Sequence, residues 1–195
     1  MDTTITGGVL QDESSNNNDA TVTNVTVVPG RVGNALQFQS NGTGVIQQAA
    51  STGGDTPSSV ALWVRVAALP PMPMGRYGCV DSGQRTAVFI YGDGSVRCSH
   101  NLPANGVLFS ATGVVTANTW LHIACVYDGV ENIMFLDGVR VASIPATGAL
   151  MLLSGTLTLG QNEPTGDVLN GALDEVHLYN RVLTETEVCR LAGTC

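Results

Sequence analysis

Trp120-Leu-His-Ile-Ala-Cys-Val-Tyr-Asp-Gly129, followed closely by Ile133-Met-Phe-Leu-Asp-Gly-Val139, decides the fold. The first stretch is dense in apolar, β-branched and aromatic residues and breaks at Asp128-Gly129. The second is an apolar run that breaks at Asp137-Gly138 and resumes at Val139–Ile144. Asp-Gly between two such runs marks a hairpin, because glycine supplies the positive φ that tight turns need. The spacing therefore predicts one strand over Trp120–Tyr127 and a hairpin joining Ile133–Leu136 to Val139–Ala142.

The same pattern continues in both directions. Apolar runs recur at Ala35–Phe38, Val60–Val66, Ala87–Tyr91, Val107–Ser110, Thr156–Gly160 and Ala172–Tyr179, separated by turn residues. Gly92-Asp93-Gly94 predicts a second hairpin, from Ala87–Tyr91 to Ser95–Ser99. Leu69-Pro-Pro-Met-Pro-Met74 must be a loop, since its prolines cannot donate to a sheet ladder. Helix is predicted only near the end. Thr184-Glu-Thr-Glu187 is a capping box, Val188, Leu191 and Ala192 give an apolar side, and Gly193 stops the turn. The reading is an all-β chain: a two-sheet antiparallel β-sandwich of the jelly-roll type with a short C-terminal helix. No linker or repeat divides residues 1–195, so a single domain is expected.

Composition narrows the function classes. The chain has 195 residues, 12% of them charged, and a formal net charge of −8. All eight basic residues are Arg. That balance argues against nucleic acid and against anionic lipid, both of which need a positive footprint. No apolar run reaches the length of a membrane span. Met1–Thr6 has neither the basic nor the apolar region of a signal peptide. The five cysteines form no CxxC and no zinc-finger spacing. They read as disulfides of an oxidising compartment, secreted, extracellular or periplasmic, with one thiol left over or paired between chains.

Several segments resemble laminin-G-like (concanavalin A-like) jelly-roll domains. Gly33-Asn-Ala-Leu-Gln-Phe38 is similar to their GxALxF strand. Ser59-Val-Ala-Leu-Trp-Val64 is similar to the next core strand with its Trp. The Trp120–Gly129 stretch resembles WxHVAxxYDG, and Phe135-Leu-Asp-Gly-Val139 resembles the hairpin after it. Leu157–Gln161 and Leu169–Leu183 resemble the closing strands. Order and spacing match across nearly the whole chain. A fold that hosts lectin, adhesion and enzyme-appended modules specifies no single function.

The resemblance implies a calcium loop at Asp12-Glu-Ser-Ser-Asn-Asn-Asn-Asp19, similar to the family's DxSGNGN with Ser15 and Asn17 in place of glycines. Calcium takes six to eight oxygens at about 2.4 Å, which Asp, Asn and carbonyl groups supply. The family analogue of Asp174 faces this loop, so the expected set is Asp12, Asn16, Asn18 and Asp174, completed by backbone carbonyls. The competing reading is an Asx-rich turn satisfied by its own backbone. The resemblance also puts Cys98 and Cys125 on neighbouring strands and makes them the first disulfide choice, with Cys79–Cys98 as the alternative. Cys189 and Cys195 then clip the helix to the tail and leave Cys79 free.

A sugar site on the sheet face is a further family expectation. Stacking on sugars needs exposed aromatics. Of the ten aromatic residues, Trp63 and Trp120 read as buried, and Tyr77, Tyr91 and Tyr179 remain as platforms. Arg76, Asp81 and Asn101 are polar candidates nearby. The ligand-binding candidates are thus Tyr77, Tyr91, Arg76 and Asn101, with a glycan or another extracellular surface as partner. An enzyme is disfavoured. Asp174 and Glu175 alternate in direction, Glu131 and Asp137 have the wrong spacing for a carboxylate pair on one strand, and no GxSxG elbow occurs. His122 reads as packing, and His177 shares a face with Glu175 and Tyr179. Asn24-Val-Thr26 and Asn41-Gly-Thr43 are glycosylation sequons. The expected function is a non-catalytic extracellular recognition module, calcium-stabilised. The alternative is a structural or adhesive domain of a larger secreted protein, without a sugar site.

Overall fold

The computed structural model describes residues 5–39, 45–49, 58–82, 86–151, 156–162 and 167–195. Asn41, in the second sequon, lies outside the described residues. Sixteen strands and one helix occur among them. In chain order the strands are β1 (Ile5–Thr6), β2 (Val9–Leu10), β3 (Ala20–Thr23), β4 (Thr26–Pro29), β5 (Asn34–Phe38), β6 (Val45–Ala49), β7 (Ser58–Val66) and β8 (Arg76–Ser82). There follow β9 (Thr86–Tyr91), β10 (Val96–His100), β11 (Val107–Phe109), β12 (Leu121–Tyr127), β13 (Glu131–Leu136), β14 (Val139–Pro145), β15 (Thr156–Leu159) and β16 (Gly171–Tyr179), and then α1 (Glu185–Leu191).

The strands form two antiparallel sheets. One has nine strands in the order β1-β2-β3-β6-β15-β8-β9-β10-β11. The other has seven, in the order β14-β13-β12-β7-β16-β5-β4. Period-two alternation gives each strand an inner and an outer row. The inner rows meet in one core that includes Leu36, Phe38, Leu62, Val64, Val88, Ile90, Val96, Ile123, Met134 and Leu173. Both predicted hairpins are present, β9–β10 and β13–β14. In the second, Asp137 and Gly138 both have positive φ (47° and 81°), as a tight hairpin turn demands.

The helix forms for the reason its sequence suggests. The Thr184 side chain accepts from the Glu187 amide, and the Glu187 carboxylate accepts from the Thr184 amide. Val188 packs with Leu183 against Ala61, Ala124, Val126, Ile133 and Phe135, so α1 covers part of the outer face of the seven-stranded sheet. A disulfide joins Cys189, within α1, to Cys195 beyond it, and Gly193 takes the left-handed conformation between them.

Cys98 and Cys125 are also joined, and Cys79 is buried as a free thiol. The route differs from the expectation of neighbouring strands. β10 lies in the nine-stranded sheet and β12 in the seven-stranded one. The bond therefore crosses the core from sheet to sheet. Trp120 also differs from expectation: it precedes β12, is half-buried, and lies under the Arg65 guanidinium at 4.8 Å. Trp63 is buried.

Candidate functional site

Among the described residues, the outer face of the nine-stranded sheet carries a cluster of aromatic and charged side chains. Register places them. Arg97 on β10 stands opposite Phe89 on β9 and Phe109 on β11. Tyr91, two residues from Phe89, stands opposite Arg76 on β8. The intervening residues Val88, Ile90, Val96, Cys98 and Leu108 point into the core, which fixes the outward direction of the others.

Phe89 is the centre of the arrangement. It is only 5% exposed, and the guanidiniums of Arg76 and Arg97 each lie 5.2 Å from its ring centroid. Cation–π attraction at such distances contributes about 1 kcal/mol each and fixes the long side chains. Arg76 Nε donates to Asp167 Oδ2 at 2.6 Å, and Asn162 Nδ2 donates to the same oxygen at 3.0 Å. The bond to Asp167 raises the Arg76 pKa further above its ordinary value. Arg97 has no such carboxylate among the described residues. Its Nη1 donates to Tyr91 Oη at a long 3.4 Å and its Nη2 to Ser99 Oγ at 3.1 Å. Tyr91 meets Phe109 edge to face at 5.5 Å, and Phe109 is 49% exposed at the sheet edge.

Gly78 lets one wall of this face form. It lies on β8 opposite Phe89, its amide donates to the Asp167 carbonyl, and it bridges to Val168. A Cβ here would lie 2.6 Å from the Asn162 nitrogen. Without one, the chain around Asn162 and Asp167 closes down on the sheet and delivers Asp167 to Arg76.

Of the four residues the sequence nominated for ligand binding, Arg76 and Tyr91 belong to this face. Tyr77 does not, because it alternates inward and packs in the core at 9% exposure. Asn101 lies past the end of β10, where its Nδ2 donates to the Met151 carbonyl. Tyr179 lies in a separate shallow cleft with Arg181, Leu183 and Glu187. Phe89, Arg97, Phe109 and Asp167 were not nominated. The signal for Phe89 and Arg97 was present, since a hairpin turning at Gly92–Gly94 sets them opposite each other.

The proposed calcium ligands lie on the turn that follows β2 and, at Asp174, on β16. The Asp12 carboxylate accepts from the Ser14 amide and hydroxyl and from the Asn18 amide, all within 2.7–2.9 Å. Burial alone would raise its pKa, but the bonds from Asn18 and Ser14 outweigh this and lower it. Asn17 has a φ of 51°, the left-handed conformation that a glycine would otherwise supply. Asn16 is exposed and Asn18 is half-buried. Asp174 is 0% exposed. Its Oδ2 accepts from the Arg31 and Val32 amides at 2.7 and 2.9 Å, and its Oδ1 from the Glu175 amide at 2.8 Å. The His177 pKa is lowered chiefly by burial, and the charges of Glu13 and Asp174 offset part of this. Among the described residues no three His, Cys, Asp or Glu side chains converge as a metal cluster.

The carboxylates weighed as a catalytic pair, Glu131 and Asp137, have structural partners. Glu131 pairs with Arg140, and Asp137 Oδ1 accepts the His122 amide. The alternation expected at Asp174 and Glu175 is interrupted by a bulge between Asp174 and His177, with Glu175 at a φ of 47°. His177 Nε2 lies 3.2 Å from Glu175 Oε2 and its ring stacks on Tyr179. His122 is 1% exposed and meets Trp63 edge to face. Burial drives its pKa down to about 4, and nearby Asp137 offsets only part of this. Between pH 6.5 and 4 the unfolded chain therefore binds a proton that the folded chain refuses, and stability falls as pH falls. The loss across that window is about 3 kcal/mol. Comparing urea melts of the wild type and His122→Gln at pH 7 and 4.5 checks this: the wild type loses more. Equal losses would show that His122 does not carry the acid sensitivity.

The two antiparallel sheets define a jelly-roll β-sandwich. The sequence profile of the concanavalin A-like lectin/glucanases superfamily matches residues 39–189, and the chain belongs to that family. A comparison with curated proteins returned no match. Among solved structures, the chain is similar to the binding domain of Paraclostridial Mosquitocidal Protein 1, with a TM-score of 0.77 and 18% identity over 98% of this chain and 51% of that one. It is similar to the botulinum neurotoxin serotype G binding domain, with a TM-score of 0.72 and 16% identity over 98% and 50%. It is also similar to domain 4 of AbnA, a GH43 extracellular arabinanase from Geobacillus stearothermophilus, in complex with arabinotriose. There the TM-score is 0.64, with 19% identity over 86% and 81%. The chain spans about half the length of the toxin binding domains it matches.

Proposed function

We propose that residues 1–195 act as one non-catalytic carbohydrate-recognition module working outside the cell, with the outer face of the nine-stranded sheet as the binding surface. The observation that carries the reading is the Phe89-centred array of Arg76, Arg97, Tyr91 and Phe109. Aromatic edges and planar, multidentate donors side by side suit sugar rings and their hydroxyls. The likeness to a domain in complex with arabinotriose supports it. Asp167 is committed to Arg76 and Asn162, so it is not an acid or base waiting on a glycosidic bond. Two disulfides favour an oxidising compartment. No helix among the described residues is long and apolar enough to cross a membrane.

The proposal includes a structural calcium at the Asp12 loop. The donor set is hard oxygen throughout: the Asp12 carboxylate, the Asn16 and Asn18 amides, Asp174, and backbone carbonyls. That chemistry fits calcium. The ion would supply charge that ties the loop to the 30–32 turn.

A thermal melt in EDTA, then with calcium, then against a panel of neutral and acidic oligosaccharides tests both parts. Calcium at 100 times its Kd adds about 2.7 kcal/mol, a rise of several degrees. A melt indifferent to calcium leaves the Asp12 loop as an Asx turn. Failure of every sugar to bind moves the reading to a structural or adhesive domain.

A further inference from the structure

We infer that this face selects a carboxylate-bearing saccharide, and that the Arg97 guanidinium is the group that receives the carboxylate; the inference rests on the carbohydrate-recognition reading above. Arg76 and Arg97 flank the same ring, yet their electrostatics differ. Arg76 is neutralised by Asp167. Arg97 makes no ion pair with any described residue, and its hydrogen bonds go to two neutral hydroxyls.

A guanidinium has five N–H groups. The Arg97 Nε is buried and unpartnered, so no ligand reaches it. One N–H on Nη1 is directed to Tyr91 and one on Nη2 to Ser99. Each terminal nitrogen therefore keeps one N–H, the number a single carboxylate accepts in a two-point contact. A half-buried guanidinium with no counter-charge among the described residues is one that an anionic ligand at its two terminal nitrogens stabilises.

The surroundings favour a sugar over other anions. Tyr91 and the exposed Phe109 stand beside the free end of Arg97 and offer apolar edges to a ring. Among the described residues, two further carboxylates lie near this row: Asp81, opposite Ala87 and buried, and Asp93, in the β9–β10 turn, whose Oδ1 accepts from the Ser95 amide and hydroxyl. The chain as a whole carries −8, which repels extended polyanions at long range. A lone carboxylate on an otherwise neutral sugar meets much less of that repulsion.

Calorimetry on the full chain tests the inference with galacturonate against galactose and sialyllactose against lactose. At least one acidic member is expected to bind about 10- to 100-fold more tightly than its neutral counterpart, in the range of hydrogen bonds to charged groups. That preference should shrink in high salt and vanish in Arg97→Gln, whereas Arg97→Lys, which keeps the charge and loses the fork, restores it only in part. The melting temperature of Arg97→Gln verifies that the face is intact. Phe109→Ala should weaken acidic and neutral sugars alike. If neutral sugars bind equally well, or Arg97→Gln keeps the acidic preference, the inference is wrong while the recognition reading stands. If an acidic peptide binds as tightly as the acidic sugar, the saccharide selectivity is wrong. If no sugar binds, both readings fall.

Discussion

The double substitution Cys98→Ala/Cys125→Ala is expected to lower the stability of the chain by about 3–5 kcal/mol, a large fraction of what holds a domain folded. The two residues are separated by 27 positions, and closing a loop of that size restricts the unfolded chain by about 3.6 kcal/mol at room temperature. The sulfurs are also fully buried, so removing them opens a void in the core. The bond joins β10 to β12 across the sandwich, so its loss releases one sheet from the other without breaking a ladder. Urea denaturation of the variant, with the wild type under oxidising conditions as reference, measures the change. Because both sulfurs are inaccessible, mild reductant should leave the folded wild type unaffected and act only once it unfolds. A variant with an unchanged midpoint would sink the prediction.

The second large effect is at Asp174. Alanine there removes the acceptor for the Arg31, Val32 and Glu175 amides in a fully buried place. Each stranded donor costs about 1–3 kcal/mol, less where water enters, so about 3–5 kcal/mol in total is expected. Asparagine keeps one oxygen for two of the three amides and should cost less. The melts belong in EDTA. Under those conditions a metal ligand contributes nothing, whereas an acceptor of backbone amides contributes in full. Wild type and Asp174→Ala melting together in EDTA would assign Asp174 to calcium alone. Gly30 has the same logic from the other side, since a Cβ there would collide with the Asp174 carboxylate.

Much of the fold was legible because it is written in local chemistry. Asp137-Gly138 turns where only positive φ fits, Thr184 and Glu187 cap each other, and the apolar runs alternate into one core. The proposed binding face was only half legible. Arg76 and Tyr77 cannot serve one surface, because neighbours on a strand point apart. Which of them faces out becomes evident only when β8 is paired with β9. Asp167 comes to Arg76 through a contact of 91 positions, allowed by the missing side chain of Gly78, and no local pattern announces it. The crossing of Cys98–Cys125 was hidden for a related reason. Strand adjacency follows from sequence patterns more readily than the pairing of opposite faces.

The Phe89 ring has a thermodynamic consequence for recognition. Arginine is among the most flexible side chains, and immobilising one on binding normally costs about 0.5–1.5 kcal/mol. Here both guanidiniums lie against one buried ring, so their rotamers are restricted when the chain folds and not when a ligand arrives. Binding should then be lock-and-key in character, with favourable enthalpy and a small entropic penalty. Phe89→Leu should leave the ligand's own contacts nearly intact while turning that penalty upward, a change visible in the entropy of binding before it is visible in the choice of ligand.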